Sequence, residues 1–288
     1  MPGPVTEDAF AKVNLTLRIL GRRADGYHEL RSLVAFAQTG DRVTAARAEG
    51  ISLDVTGPFA PALEAEAGNL VLRAGRALRE LAGVTAGAHL TLEKNLPVAS
   101  GIGGGSADAA AALRALMRLW KIEPDETSLA ALAASLGADV PVCLASSSAL
   151  MWGIGERIGR LPLPAFWLVL ANPGIALSTP AVFRELAAPP LGERLSDPAL
   201  PAFATLDRLV RWAAEEGNDL EAPAIALAPI VGEVRDAIAA TADCLLARMS
   251  GSGATCFGLY PSEVAASEAA RALGAAHPGW WTAAGRAL

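Results

Sequence analysis

The 288 residues carry 52% hydrophobic and 19% charged side chains, a balance that excludes a disordered chain and supplies one large core or two ordinary ones. A net charge of −6 argues against a nucleic-acid partner, and no apolar run approaches the roughly 20 residues of a membrane span, so neither nucleic acid nor a membrane is expected as a partner. Cys143, Cys244 and Cys256 are odd in number, widely spaced and set among apolar residues, which reads as reduced core thiols; Met1 to Phe10 lacks the basic and apolar parts of a secretion signal, so a cytoplasmic location is expected.

Taken from the start, Val13, Leu15, Leu17 and Ile19 alternate with Lys12, Asn14, Thr16 and Arg18, the period-2 pattern of a strand. Lys12 and Asn14 therefore share a face, either as solvated groups or as a functional pair. Gly21 to His28 is a turn-rich loop ending in two rings, and Tyr27 and His28 either cap a core or offer faces on which a flat base stacks. Glu29 to Val55 reads as extended segments separated at Gly40-Asp41 and Glu49-Gly50. Gly57-Pro58 and Pro61 mark a loop, and a helix is predicted over Asn69 to Leu81 with Asn69 as its N-cap.

A strand-like run, Ala88 to Glu93, and a helix-like run, Ala109 to Trp120, then bracket a glycine-rich segment. Its candidate ligand-binding residues are Pro97, Val98, Ala99, Ser100, Gly101, Ile102, Gly103, Gly104, Gly105, Ser106 and Ala107. Glycines let the backbone approach an anion closely, and a helix N-terminus offers unpaired N–H groups and a positive dipole end, so the segment fits the phosphate tail of a nucleotide. It is not a Walker A loop, because no lysine follows the glycines. As a dinucleotide fingerprint it is weak, since the third glycine position falls on Ser106, and the protein-kinase tripeptides are missing. A flexible linker is the bland alternative, at odds with the strand before it and the helical spacing of Leu113, Leu116, Met117 and Trp120 after it.

A second helix over Leu129 to Leu136 stops at Gly137, and Gly137-Ala138-Asp139-Val140-Pro141 follows, with Pro141 suited to the first turn of another helix. Asp139 is then either a capping carboxylate or, standing in an apolar neighbourhood, a chemical group. Ser146 to Arg160 turns small, polar and glycine-rich, and Leu161-Pro162-Leu163-Pro164 reads as a junction, which divides the chain into domains 1–160 and 161–288. The second half reads as a strand over Phe166 to Ala171, a loop holding Ser178 to Phe183, and helices over Phe203 to Glu216 and Ile230 to Ala240. Strands around Cys244 to Met249 and Ala254 to Tyr260, a helix over Glu263 to Leu273 and a last strand near Trp280 complete it. Helices set against a mostly antiparallel sheet predict an α+β fold of the split βαβ kind. The link Ser250-Gly251-Ser252-Gly253 is a second small-residue loop, or a plain turn.

Three of these stretches, Ala11-Lys12-Val13-Asn14-Leu15, Pro97 to Asp108 and Ser250-Gly251-Ser252-Gly253-Ala254, resemble in order the three signatures of the GHMP small-molecule kinase superfamily. Within it, Ala11 to Leu15, Arg23-Ala24-Asp25-Gly26-Tyr27-His28-Glu29-Leu30 and Gly137 to Pro141 resemble the branch that phosphorylates a cytidine diphosphate derivative of methylerythritol in the non-mevalonate route to isoprenoids. The resemblance implies a two-domain α+β kinase, with an N-terminal ribosomal-S5-like α/β domain and a C-terminal ferredoxin-like domain. It also implies ATP and Mg²⁺ as cofactors and a small-molecule substrate, with no metal ligand assigned and the oligomeric state left open. Position by position, Lys12 and Asp139 match the catalytic pair, Pro97 to Ala107 the ATP phosphate loop, and Asn14, Tyr27, His28, Thr179 and Phe183 the cytidine pocket. Ala107 departs from relatives that carry a second serine after the glycines, which removes a hydroxyl but leaves the backbone N–H groups. The alternatives are a sister kinase acting on homoserine, mevalonate or a sugar, a nicotinamide-dependent oxidoreductase, and a non-catalytic nucleotide sensor.

Overall fold

A computed structural model describes residues 3–63, 68–192 and 196–288; Met1 and Pro2, where the reading of the leader begins, lie outside them. The chain forms two compact units, one built from the residues through Ala11, Gly40–Val98 and Gly103–Ser146, the other from Lys12–Thr39, Ala99–Ile102 and Ser147–Leu288.

In chain order the elements up to the third helix are β1 (Val5–Asn14), β2 (Arg18–Arg22), β3 (His28–Ala48), β4 (Ile51–Thr56), α1 (Leu70–Leu81), β5 (Gly87–Glu93), α2 (Gly104–Trp120) and α3 (Glu126–Leu136). The short α4 (Val140–Ala145) follows, then the hairpin β6 (Ala149–Gly153) and β7 (Arg157–Arg160). The remainder is β8 (Trp167–Asn172), α5 (Thr179–Leu186), α6 (Leu206–Glu216), α7 (Glu221–Leu227), α8 (Ile230–Ala239), β9 (Leu246–Met249), β10 (Cys256–Tyr260), α9 (Glu263–Ala276) and β11 (Trp281–Arg286).

In the first unit β5 is the centre of pairing, parallel to β4 from Ile51↔Ala88 to Thr56↔Glu93 and antiparallel to the second half of β3 from Arg42↔Glu93 to Ala48↔Gly87. The predicted break at Gly40-Asp41 is not one: β3 runs through it. A Cβ on Gly40 would stand 2.2 Å from the Ala9 carbonyl oxygen, so this glycine permits close strand approach instead of ending the strand. Helix α1 is capped as expected, the Asn69 Oδ1 accepting from the Val71 N–H at 2.9 Å, and it buries Val71, Ala74 and Leu78. The alanine-rich α2, buried along most of its length, packs against α1 and α4.

In the second unit a four-stranded sheet has the order β11-β8-β10-β9 with every neighbour antiparallel. Strand, helices, two strands, helix and strand in that order give the split βαβ arrangement predicted for this half. Its core gathers Val169, Val231, Val234, Ile238, Met249, Cys256 and Leu273. Cys143 and Cys256 are buried and Cys244 is half-buried, none of them in a disulfide. Among the described residues no helix is long and apolar enough to cross a membrane.

Several local expectations change. The first strand ends at Asn14, because the Leu15 and Thr16 N–H groups both donate to the Leu33 carbonyl, Leu17 bridges to Asn218, and pairing with β3 resumes at Arg18. Ser178 to Phe183 is not a loop: Ser178 occupies the N-cap position of α5, with Pro180 in its first turn, where a missing N–H is harmless. The glycine-rich stretch after Ser146 holds the β6–β7 hairpin, with positive φ at Gly153 and Gly155 making its turn. Helix α7, ahead of α8 and separated from it by Ala228 and Pro229, was not predicted.

Candidate active site

The first half of the glycine-rich segment, Ala99 to Ile102, belongs to the second unit and is tied there to both other signatures. The Lys12 N–H donates to the Ile102 carbonyl at 2.9 Å, and the Thr255 N–H donates to the Ser100 carbonyl at 3.1 Å. The Ser250 Oγ donates to the Gly101 carbonyl at 2.9 Å and accepts from the Asn14 N–H at 3.1 Å. Gly101, at φ +76°, lies so close to the second small-residue loop that a Cβ on it would meet the Ser250 carbonyl oxygen at 2.5 Å. The Ser250 to Gly253 stretch is therefore more than a turn, since it holds Gly101 against β1. Lys12 and Asn14 are buried, which removes the solvated-face reading, and the Asn14 Nδ2 donates to the Ser32 Oγ at 2.7 Å.

The second half of the segment stands in the first unit. Helix α2 begins at Gly104, five residues earlier than its apolar spacing predicts, so Gly104, Gly105, Ser106 and Ala107 form a helical first turn and Gly103, at φ +64°, occupies the N-cap position. The N–H groups of Gly104, Gly105 and Ser106 have no acceptor one turn back within the helix, while the Ala107 N–H donates to the Gly103 carbonyl at 2.9 Å, and no side chain on Gly103 caps the turn. Pro97 and Val98 lead in from β5. Below the turn lies a cluster that sequence reasoning missed. The buried Lys94 ammonium pairs with Asp41 and with Asp108, the latter at 2.8 Å, and the other Asp41 oxygen accepts from the Asn95 and Leu96 N–H groups at 2.6 and 2.8 Å.

Asp139 occupies the N-cap position of α4, yet its side chain makes no capping hydrogen bond. A Cβ on Gly137, two residues earlier, would stand 3.8 Å from the Ser106 Oγ, which sets this turn beside the first turn of α2.

Within the second unit Tyr27, His28, Thr179 and Phe183 line one pocket of about 780 Å³. The His28 and Phe183 rings lie 4.6 Å apart and tilted by 33°, while Tyr27 is 61% exposed and so keeps a ring face available. Thr179 Oγ1 is hydrogen-bonded to Ser252 Oγ at 2.7 Å, which fixes the start of α5 to the second small-residue loop. Asn14 is not part of this pocket lining. Arg22 and Arg184 are, and neither was singled out in the sequence; Arg22 pairs directly across from His28 in the β2–β3 ladder. Partial burial, and then the Arg22 guanidinium, hold the His28 imidazole below its ordinary value, so at neutral pH the ring offers one donor and one acceptor.

Comparison with known proteins follows the same lines. Residues 69–151 match the family model described as GHMP kinases N terminal domain, and residues 198–279 match that described as GHMP kinases C terminal. A protein of Parvibaculum lavamentivorans named 4-diphosphocytidyl-2-C-methyl-D-erythritol kinase is 68% identical over 282 residues, covering 98% of this chain and 97% of its own. A protein of the same name from Paramagnetospirillum magneticum is 54% identical over 98% of each chain. The crystal structure of a 4-(cytidine 5'-diphospho)-2C-methyl-D-erythritol kinase superposes with a TM-score of 0.78 at 37% identity, covering 98% of both chains. A homoserine kinase at 18% identity and a TM-score of 0.70 shares the fold.

Proposed function

Because the chain belongs to the GHMP kinase family, we propose that it transfers the γ-phosphoryl group of ATP to the 2-hydroxyl of 4-diphosphocytidyl-2-C-methyl-D-erythritol, a step toward isoprenoid precursors. The observation that carries the choice of acceptor is the pocket of Tyr27, His28, Thr179 and Phe183, whose aromatic faces and neutral imidazole suit a cytosine ring. Tyr27 and Phe183 stack the base, and His28 hydrogen-bonds its edge. Asn14 belongs to the same substrate contacts in this reading, reached from the end of β1.

The segment Pro97 to Ala107 receives the ATP phosphates, with the first-turn N–H groups of α2 facing the anion. The substrate hydroxyl attacks the γ-phosphorus, a new P–O bond forms as the bond to the β-phosphate oxygen breaks, and ADP leaves. Asp139 accepts the hydroxyl proton, and Lys12 supplies positive charge to the developing alkoxide. Mg²⁺ supplies further charge neutralisation when bound. Among the described residues no three His, Cys, Asp or Glu side chains gather into a metal cage, which fits an ion held chiefly by the phosphates of ATP itself. In the family's terms residues 1–160 are the ATP-binding N-terminal domain and 161–288 the C-terminal domain, spans that contain the matched segments 69–151 and 198–279. A cytoplasmic location belongs to the same proposal.

A coupled ADP-release assay across hydroxylated acceptors tests the assignment. The cytidine substrate should give the highest kcat/KM, ahead of homoserine, mevalonate and galactose. Preferred turnover of any of those three, or turnover that cytidine nucleotides fail to compete with, would move the chain to a sister activity.

A further inference from the structure

Lys94 directly follows β5, Asp41 lies inside β3, and Asp108 stands in the second turn of α2, so one ammonium group joins three separate segments of the first unit. All three side chains are buried, which keeps Lys94 from acting as a ligand in its own right. The ammonium sits directly under the first residue of α2: a Cβ on Gly104 would come within 3.1 Å of the Lys94 Nζ. Asp41 meanwhile holds the Asn95 and Leu96 N–H groups, which fixes the chain where it enters the glycine-rich segment.

With every group ionised, two carboxylates against one ammonium leave a net negative charge beneath a turn that faces a polyanion. That charge is poorly screened, because the cluster is excluded from water. The Asp108 Oδ1 has no hydrogen-bond partner, while Oδ2 accepts from Lys94, so a proton on Oδ1 cancels the excess charge without disturbing the ion pair. We propose that Lys94 and Asp108 are positioning residues for ATP: the ammonium fixes the entry and first turn of the phosphate loop, and a proton held on Asp108 keeps the ground beneath the loop neutral. This deepens the reading of Pro97 to Ala107 as the ATP site and rests on it. Burial favours that proton most strongly, Lys94 opposes it and Asp41 supports it; these are the charged groups that act on Asp108, and together they raise its carboxyl to about 8.

The experiment compares the intact protein with Lys94→Met and Asp108→Asn. Lys94→Met should raise KM for ATP about ten- to a hundredfold, the scale of a small misplacement, with KM for the cytidine substrate unchanged. Asp108→Asn imitates the neutral carboxyl, so at pH 7 its KM for ATP should match the parent. Above pH 8 the parent's KM for ATP should climb while that of Asp108→Asn stays flat. An ATP affinity in Lys94→Met within twofold of the parent, or equal slopes of KM against pH in the parent and Asp108→Asn, overturns the inference. If Lys94→Met does not fold, the Asp108→Asn comparison decides alone. Hydrogen exchange checks the underlying reading separately: if ATP fails to protect the amides of Gly103 to Ala107, the loop assignment itself is wrong.

Discussion

Replacing Gly101 by alanine places a methyl group where the structure has two backbones in contact. The new Cβ would lie 2.5 Å from the Ser250 carbonyl oxygen and 2.7 Å from that of Gly253, and neither is a flexible side-chain end. The residue must also hold φ near +76°, which for a side-chain-bearing residue is unfavourable by about 1–2 kcal/mol. Relieving the contacts means moving the Ser250 to Gly253 loop away, which lengthens the 2.9 Å hydrogen bond from the Ser250 Oγ to the Gly101 carbonyl, a further loss of about 0.5–1.5 kcal/mol. Adding the two gives roughly 1.5–3.5 kcal/mol, which at about 2–4 °C per kcal/mol corresponds to a fall in melting temperature of about 3–14 °C. Thermal unfolding followed by circular dichroism reads the shift directly, and KM for ATP should rise with it because Gly101 is part of the phosphate loop. A variant melting within 1 °C of the parent would show that the contact between these loops is not the constraint described.

Tyr27→Ala should weaken the cytidine substrate by about 1–3 kcal/mol through lost stacking, read as a rise in its KM with KM for ATP unchanged; an unchanged substrate KM would remove Tyr27 from the base pocket. Asp139→Asn keeps the shape of the residue while removing its basicity, so kcat should fall about 10²–10⁴-fold with melting temperature and ATP affinity preserved. A near-normal kcat would return Asp139 to a structural role. Asp108 also sets a trend in stability, because its folded carboxyl, raised from 3.8 to about 8, lies above its unfolded value. The native chain therefore keeps a proton that the unfolded chain gives up, and this contribution is full below about pH 4 and lost as pH rises through about 8. The melting temperature of the parent, measured against that of Asp108→Asn, should decline between pH 5 and pH 8; parallel curves would contradict the raised carboxyl.

What was legible in the sequence depended on how local its cause is. The Asn69 cap and the order of the four strands in the second half are written in neighbouring residues, and both appear where the sequence placed them, whereas α5 and α7 do not follow from it. The start of α2 was hidden because Gly104, Gly105 and Ser106 are poor helix formers whose conformation is set by packing. The cluster of Asp41, Lys94 and Asp108 left no local mark, since 53 residues separate the first pair and a Gly-Asp dipeptide reads as a turn. Arg22 could have been found, because a turn-rich loop between two extended runs implies a hairpin, and hairpin pairing sets Arg22 opposite His28. That Asp139 holds an N-cap position without capping could not be read from the sequence, because only geometry distinguishes such a position from a side chain that caps.

The central claim is transfer of phosphoryl to one hydroxyl of an intact cytidine diphosphate compound, and phosphorus NMR of the reaction with ATP and that substrate tests it most directly. The account predicts one new phosphomonoester resonance appearing in step with ADP, lacking the three-bond proton splitting of an ester on a hydrogen-bearing carbon because the methyl-bearing 2-carbon has no hydrogen, while the substrate's diphosphate bridge stays unchanged. Release of inorganic phosphate without a new ester, or an ester on a different hydroxyl, would contradict it.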